Sequence, residues 1–146
     1  MKSNAGVTLI ELLVVVTIIA LLGAIAYPSY QNQVRDTRRS DCSGALTALS
    51  GAMERYYTVN SSYLGAAAGG ADTGAPAVFA TQCPVDGGTA TYNLTIQAAT
   101  AATYTVQAAP VGVQASDRCG TLTLTNLGLK GVTSAASGVT WEQCWR

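Results

Sequence analysis

The sequence predicts an α+β fold in which one long N-terminal helix precedes a small antiparallel sheet. Three observations support this class. Residues 7–27 form an apolar run with a single charge, and residues 30–57 repeat apolar side chains at helical spacing. Residues 91–126 contain three short stretches that alternate apolar and polar side chains, as strands do. The chain of 146 residues is long enough for one domain with a core of its own.

The composition excludes several classes of function. Only 11% of the residues are charged, and the eight basic and eight acidic residues cancel, so no global field favours nucleic acid or an anionic surface. The chain has no histidine, which excludes Ser-His-Asp triads and His-bearing zinc sites. We find no nucleophile–base pair, phosphate loop or paired-carboxylate motif. The sequence therefore predicts a protein that is not an enzyme and that binds no cofactor or metal.

The apolar run from Val7 to Tyr27 is the strongest signal. A helix of this length spans about 30 Å, the hydrocarbon thickness of a bilayer. The run follows a short stretch with one lysine, as in a signal peptide, but it is longer than the apolar part of one, and no small-residue cleavage site closes it. We therefore expect proteolytic cleavage on the N-terminal side of the run, after Gly6, which leaves the hydrophobic helix in the mature protein.

Glu11 is the one charge within the apolar run. A carboxylate costs about 2.5–3.5 kcal/mol at the centre of a membrane helix. The cost falls near the helix start, where the dipole favours negative charge. Cleavage after Gly6 would free the amino group of Val7, which could pair with Glu11 in the same chain or in a neighbour. The alternative is a glutamate that reaches into the lipid headgroups.

The stretch from Gly6 to Leu12, GVTLIEL, resembles the processing signature of type IV pilins. The resemblance implies that a prepilin peptidase cuts after Gly6 and N-methylates Val7, and that Glu11 guides filament assembly. The family usually has Phe where this chain has Val7. On this basis the chain divides into a leader (1–6), a hydrophobic transmembrane and filament-core helix (7–28) and a periplasmic globular head (29–146).

Pro28 either ends the membrane helix or kinks a longer one. Helical periodicity resumes beyond it, which favours a kink, with Gly23 adding local softness. Residues 29–58 then form an amphipathic second half, whose apolar side chains lie on one face: Cys42, Leu46, Leu49, Met53 and Tyr56. A belt of charges precedes this face, and we expect it to be a solvated collar: Arg35, Asp36, Arg38, Arg39 and Asp41.

Residues 59–88 are rich in glycine, alanine and proline and are expected to form an irregular loop. The sheet and a C-terminal loop occupy residues 89–146. Strands are predicted at 91–97, 103–109 and 121–126, with a fourth near Val139–Trp145. Successive strands with short connections predict an antiparallel meander whose apolar face covers the amphipathic helix half.

Four cysteines allow three disulfide connectivities. We prefer Cys119–Cys144, which closes a loop from the third strand to the C-terminus, together with Cys42–Cys83, which ties the helix to the loop that enters the sheet. Zinc is the rival interpretation, but no Cys-x-x-Cys pair is present. The membrane helix would deliver the head to the periplasm, where disulfides persist.

Further motifs extend the resemblance to PilE-like minor pilins: ERYY at 54–57, YNL at 92–94, YTV at 104–106, CGTL at 119–122 and the terminal Cys144-Trp145. Cys119 and Cys144 match the pair that bounds the so-called D-region of that group. Members often lack the pair seen here as Cys42 and Cys83. The resemblance implies a ladle, in which a long kinked helix packs on a four-stranded antiparallel sheet before a disulfide-bounded C-terminal region.

The resemblance also implies a function. It predicts a structural subunit that primes, caps or decorates a type IV pilus and so supports twitching motility, adhesion or DNA uptake. The partners would be other pilins, through their N-terminal helices, the prepilin peptidase and an assembly platform in the inner membrane. The precursor would cross that membrane once, and the assembled pilus would be extracellular. Two alternatives remain: a type II secretion pseudopilin, and a DNA-binding receptor at the pilus tip that uses Arg118, Lys130 and Arg146.

Overall fold

The structure, a computed structural model, describes residues 7–145. Over this range the chain forms an α+β fold, as predicted. Its elements are α1 (Leu9–Asn60), β1 (Gln82–Cys83), β2 (Tyr92–Ala99), β3 (Tyr104–Pro110), β4 (Thr121–Thr125), β5 (Lys130–Thr133) and α2 (Trp141–Cys144). The chain divides into two compact units, of which the first ends at Val34 and the second begins at Arg35.

The first unit is the N-terminal part of α1. Its apolar side chains are exposed on all sides; Ile25, for example, is 75% exposed. Of the described residues, α1 contains the one segment that is long and apolar enough to cross a membrane. The helix continues through Pro28, so this proline does not end it. The bend that we expect at Pro28, with Gly23 contributing, stays a prediction.

The second unit contains the rest of α1 and the sheet. The helical stripe predicted from the sequence is confirmed, because Cys42, Leu46, Leu49 and Met53 are completely buried. Tyr56, the last member of the stripe, packs against the edge of this core and is half-buried. The amphipathic half of α1 therefore supplies one wall of the hydrophobic core.

The other wall is the inner face of the sheet, whose five strands lie in chain order and pair antiparallel throughout. In the central row Val106 of β3 lies opposite Ile96 of β2 and Leu124 of β4. The apolar residues of the predicted alternation are all buried on this face: Tyr92, Leu94, Ile96, Tyr104, Val106, Ala108, Leu122 and Leu124.

The expected number of strands was wrong, because the sheet has five and not four. The two that were missed carry weak signals. Strand β1 has two residues, too few for any alternation, and β5 (Lys130–Thr133) includes Gly131, which weakens strand propensity. Both join the sheet by pairing with a longer neighbour, β1 with β2 and β5 with β4.

The fourth strand predicted near Val139–Trp145 is also wrong, since this segment contains the short helix α2. Its turn is closed by hydrogen bonds from Gln143 N–H to the Thr140 carbonyl (3.2 Å) and from Trp145 N–H to the Trp141 carbonyl (3.0 Å). The disulfide at Cys144 and the bond from the Trp145 indole to the Gly131 carbonyl (2.9 Å) hold this turn against β5. Tertiary contacts, not alternation, therefore decide its structure.

Candidate assembly segment and head surfaces

The start of α1 is closed by Thr8. The first intrahelical bond runs from Leu12 N–H to the Thr8 carbonyl (3.2 Å), and the Thr8 hydroxyl accepts a bond from Glu11 N–H (3.3 Å). Thr8 is therefore the N-cap, and Glu11 lies in the first helical turn, at the positive end of the helix dipole. Val7 and Glu11 are exposed, whereas Gly6, the expected cleavage residue, lies outside the described residues.

A buried polar cluster overturns part of the expected solvated collar. Arg39 is only 4% exposed. Its guanidinium donates to Asp36 (2.7 Å) on its own helix and to Asp117 (2.7 Å) ahead of β4. Arg39 lies three residues before Cys42 on the buried stripe of the helix, so it faces the sheet and needs a buried partner. The expectation of a solvated Arg39 was therefore wrong.

Asp117 is the centre of this cluster. Besides Arg39, its carboxylate accepts hydrogen bonds from the Tyr92 hydroxyl and from Cys119 N–H (3.3 Å). The Gln114 amide donates to the Tyr92 hydroxyl (3.1 Å) and to the Arg35 carbonyl (3.0 Å). Burial, and then the hydrogen bond to Asp117, raises the pKa of Tyr92. The cluster thus joins α1, β2 and the segment before β4, and sequence reasoning missed it because no local pattern pairs positions so far apart.

A second cluster lies near the C-terminal end of α1. The Glu54 carboxylate accepts hydrogen bonds from the hydroxyls of Tyr63 (2.9 Å) and Tyr104 (2.9 Å). The Tyr63 ring contacts those of Tyr57 and Tyr104, with centroids 4.6 and 4.7 Å away. Burial, followed by the hydrogen bond to Glu54, raises the pKa of Tyr63 to about 12. Burial also raises the pKa of Tyr104.

Two disulfides brace the head, and they are the pairs that we preferred from the sequence. Cys42–Cys83 joins α1 to β1, with Cα atoms 5.6 Å apart. Cys119–Cys144 joins the segment just before β4 to the end of α2, with Cα atoms 5.7 Å apart. Across residues 7–145 no cysteine is left as a free thiol. No group of three or more His, Cys, Asp or Glu in this range could hold a metal ion.

A half-open groove of about 590 Å³ lies beside α1. Ala45 and Ala48 of the helix and Phe79 and Val85 of the loop around β1 form its apolar lining. Three charged side chains border it, namely Arg38, Asp41 and Asp86.

Of the three cations proposed for DNA contact, the structure describes Arg118 and Lys130. Arg118 is exposed and precedes β4, whereas Lys130 opens β5 opposite Leu124. The Lys130 ammonium lies over the Trp145 ring, 5.3 Å from its centroid. Arg146 lies outside the described residues.

Comparison with known proteins identifies the family. A family model described as "Type IV minor pilin ComP, DNA uptake sequence receptor" matches residues 28–123, more than half of the chain. The chain belongs to this type IV minor pilin family. A second model, the prokaryotic N-terminal methylation motif, matches residues 1–27 of the minor pilin. Together the two matches cover the apolar helix and most of the head.

Individual relatives agree with this placement. The minor pilin is 42% identical over 53 residues to the fimbrial protein EcpC of Eikenella corrodens, a match of 36% of this chain and 35% of the relative. It is 44% identical over 48 residues to the type IV major alpha-pilin of Moraxella bovis, covering 33% of this chain and 30% of the relative. The matched stretch thus spans about a third of the length of these curated relatives.

A solved structure supports the fold. The crystal structure of the non-core minor pilin PilV of Neisseria meningitidis superimposes with a TM-score of 0.51 at 17% identity, covering 75% of this chain and 94% of PilV. At this identity the similarity shows the pilin fold alone. The family and the fold are those of structural pilins, and the exposed apolar helix fits association with other pilins and with a membrane.

Proposed function

We propose that this minor pilin enters a type IV pilus through the N-terminal part of α1 and acts there as a structural subunit without catalysis. The observation that carries this function is the exposed apolar surface of residues 7–27, interrupted by the single charge of Glu11. A helix that is apolar all round needs lipid or other helices around it. The methylation-motif match over residues 1–27 supports the same function.

The mechanism proceeds from the membrane to the filament. The precursor spans the inner membrane once, with its head in the periplasm, where the two disulfides form. A prepilin peptidase removes the leader after Gly6 and methylates Val7. The assembly platform then extracts the subunit, and the helix exchanges lipid for neighbouring helices, so its apolar surface stays out of water. In the extracellular pilus Glu11 pairs with the Val7 amine of a neighbour, which sets the register.

The test replaces the charge at Glu11. We expect Glu11→Ala and Glu11→Gln to leave leader cleavage intact and to reduce incorporation into filaments, because the amine of the neighbour loses its partner. Mass spectrometry reports cleavage, and immunoblots of sheared filaments report incorporation. Asp41→Asn, which removes an exposed carboxylate of the head, is the matched control. Incorporation of the Glu11→Ala protein at the level of the control would refute the assembly role.

A second candidate function is DNA binding at the pilus tip. The family model that matches residues 28–123 is described as a DNA uptake sequence receptor, and Arg118 and Lys130 are exposed cations of the head. Arg118 precedes β4 and Lys130 begins β5, and each would contact a phosphate. A phosphate contact predicts binding that weakens as salt rises.

The DNA test uses the full-length protein in detergent micelles with duplex DNA at low and high salt. A receptor binds the duplex, loses affinity with salt and is weakened by Arg118→Gln and Lys130→Gln, whereas a purely structural subunit shows no such binding. Deletion of the gene, scored for surface filaments and for DNA uptake, separates the two functions. Loss of both indicates an assembly component, and loss of uptake alone indicates a receptor. Unchanged filaments with impaired protein secretion would instead indicate a type II secretion pseudopilin.

A further inference from the structure

The residue that closes helix α1, Thr8, has no role assigned in the assembly scheme above. A helix leaves its first backbone N–H groups without intrahelical partners, and in hydrocarbon each unpaired group costs far more than in water. Here the Thr8 hydroxyl accepts the Glu11 N–H (3.3 Å). This bond lies at the start of the apolar segment, where an unpaired backbone group would be the most costly.

The spacing of Thr8 and Glu11 has a second meaning. Thr-x-x-Glu is the capping-box pattern, in which the cap hydroxyl binds the backbone of the glutamate at the third helical position. Leu9 begins the helix, so Glu11 occupies that position. A cap at Thr8 therefore fixes the backbone that carries the assembly carboxylate.

We infer that Thr8 is a positioning residue for filament assembly: its hydroxyl caps α1 and holds Glu11 in the first turn, where the carboxylate meets the amine of a neighbouring subunit. This inference rests on the proposed role of Glu11. The partner is a second pilin that presents its freed N-terminal amine. Without the hydroxyl the first turn frays, and the Glu11 carboxylate no longer has one fixed height along the helix.

The experiment compares Thr8→Val, which keeps the branched shape and removes the hydroxyl, with Thr8→Ser, which keeps the hydroxyl. We expect Thr8→Val to lower the ratio of incorporated to membrane-held subunit about fivefold, the factor that the usual contribution of an N-cap implies. Thr8→Ser restores incorporation. Thr17→Val is the matched control, since the Thr17 hydroxyl donates to its own helix, at the Leu13 carbonyl (2.8 Å).

The outcomes separate this inference from the proposed function. Normal incorporation of Thr8→Val, with Glu11→Ala impaired, overturns the role of Thr8 and leaves that of Glu11. Normal incorporation of Glu11→Ala overturns the proposed role on which this inference rests. Equal losses of incorporation in Thr8→Val and Thr8→Ser also overturn the role of Thr8, because the hydroxyl would then not be the group that acts.

A second measurement decides the case in which Thr8→Val blocks leader cleavage. Amide hydrogen exchange of the full chain in detergent micelles reports the Glu11 N–H directly. We expect this amide to exchange faster in Thr8→Val than in the parent chain or in Thr8→Ser, with the amides around Thr17 unchanged. Equal exchange at Glu11 in all three proteins would overturn the cap.

Discussion

Arg39 on α1 lies 2.7 Å from Asp117, and this buried ion pair joins the helix to the segment that precedes β4. Each charge is matched by further polar contacts, Arg39 by Asp36 and Asp117 by Tyr92. A buried ion pair of this kind adds little stability over an apolar pair. Removal of one partner, however, leaves the other charge buried without a counterion.

Arg39→Met should therefore destabilise the head by about 3–5 kcal/mol, because Asp117 stays buried without its cation. Urea denaturation of the full-length protein in detergent measures the free energy of unfolding. Arg38→Met, a neighbour whose side chain borders the open groove, is the control and should cost much less. A double variant, Arg39→Met with Asp117→Leu, should recover part of the loss, and a double variant as unstable as the sum of both changes would contradict this account.

The tyrosine cluster predicts alkaline sensitivity. Burial, and then Glu54, raises the pKa of Tyr63 from 10.0 to about 12. Between about pH 10 and 12 the Tyr63 hydroxyl therefore keeps its proton in the folded chain and loses it in the unfolded chain. Its contribution to the free energy of unfolding is complete below about pH 10 and is lost as the pH rises towards about 12. Tyr63→Phe should flatten the fall in unfolding free energy across this pH range. Glu54→Gln should make the fall smaller than in the parent chain. Parallel pH profiles for Tyr63→Phe and the parent chain would disprove the assignment.

Gly120 occupies a position that no side chain fits. Its φ is +59°, and a Cβ atom there would lie 2.6 Å from the Ser134 carbonyl oxygen. Gly138 also has positive φ, at +79°, but a Cβ atom would meet nothing within 4 Å. Gly138→Ala should cost about 1–2 kcal/mol through backbone strain, and Gly120→Ala about 1–3 kcal/mol more through the clash. Equal unfolding free energies for the two variants would show that the backbone around Ser134 yields.

The two disulfides should stabilise the head by similar amounts. Their sequence separations are 25 residues for Cys119–Cys144 and 41 for Cys42–Cys83. Loop-closure entropy rises slowly with length, so removal of either pair as a double Cys→Ala variant should cost about 3–4 kcal/mol. Denaturation under non-reducing conditions measures both, and a difference between the two pairs well above 1 kcal/mol would show that contacts outweigh chain entropy.

The sequence predicted those parts of the molecule that depend on local periodicity. The stripe from Cys42 to Met53 and the alternation through Leu94, Ile96 and Val106 appear in the structure as two facing walls of one core. Period and burial are linked directly, since each pattern places its apolar side chains on one face. The Gly6–Leu12 stretch predicted the family through its spacing, and the methylation-motif match agrees.

The features that the sequence did not predict depend on partners that are distant along the chain. The spacing of Arg39 to Cys42 places it on the buried face of α1, but its partner Asp117 lies 78 residues away and no local pattern pairs the two. The strand Gln82–Cys83 exists because β2 offers its edge, and the turn at Trp141–Cys144 is held by its disulfide and by β5. The polar contacts of Thr8, in contrast, were within reach, because its spacing to Glu11 is a recognised capping pattern.

The cross-link between Cys42 and Cys83 has a mechanical consequence. A pull along α1 reaches strand β1 through covalent bonds, so the helix cannot be peeled from the edge of the sheet by rupture of weak contacts alone. Residues 43–82, which lie between the two cysteines, are shielded from such a load, because the bridge shortens the path that tension follows. Beyond Cys83 extension must therefore begin in β2 and β3, which hydrogen bonds and packing hold, since the Cys119–Cys144 bridge shields β4 and β5 in the same way.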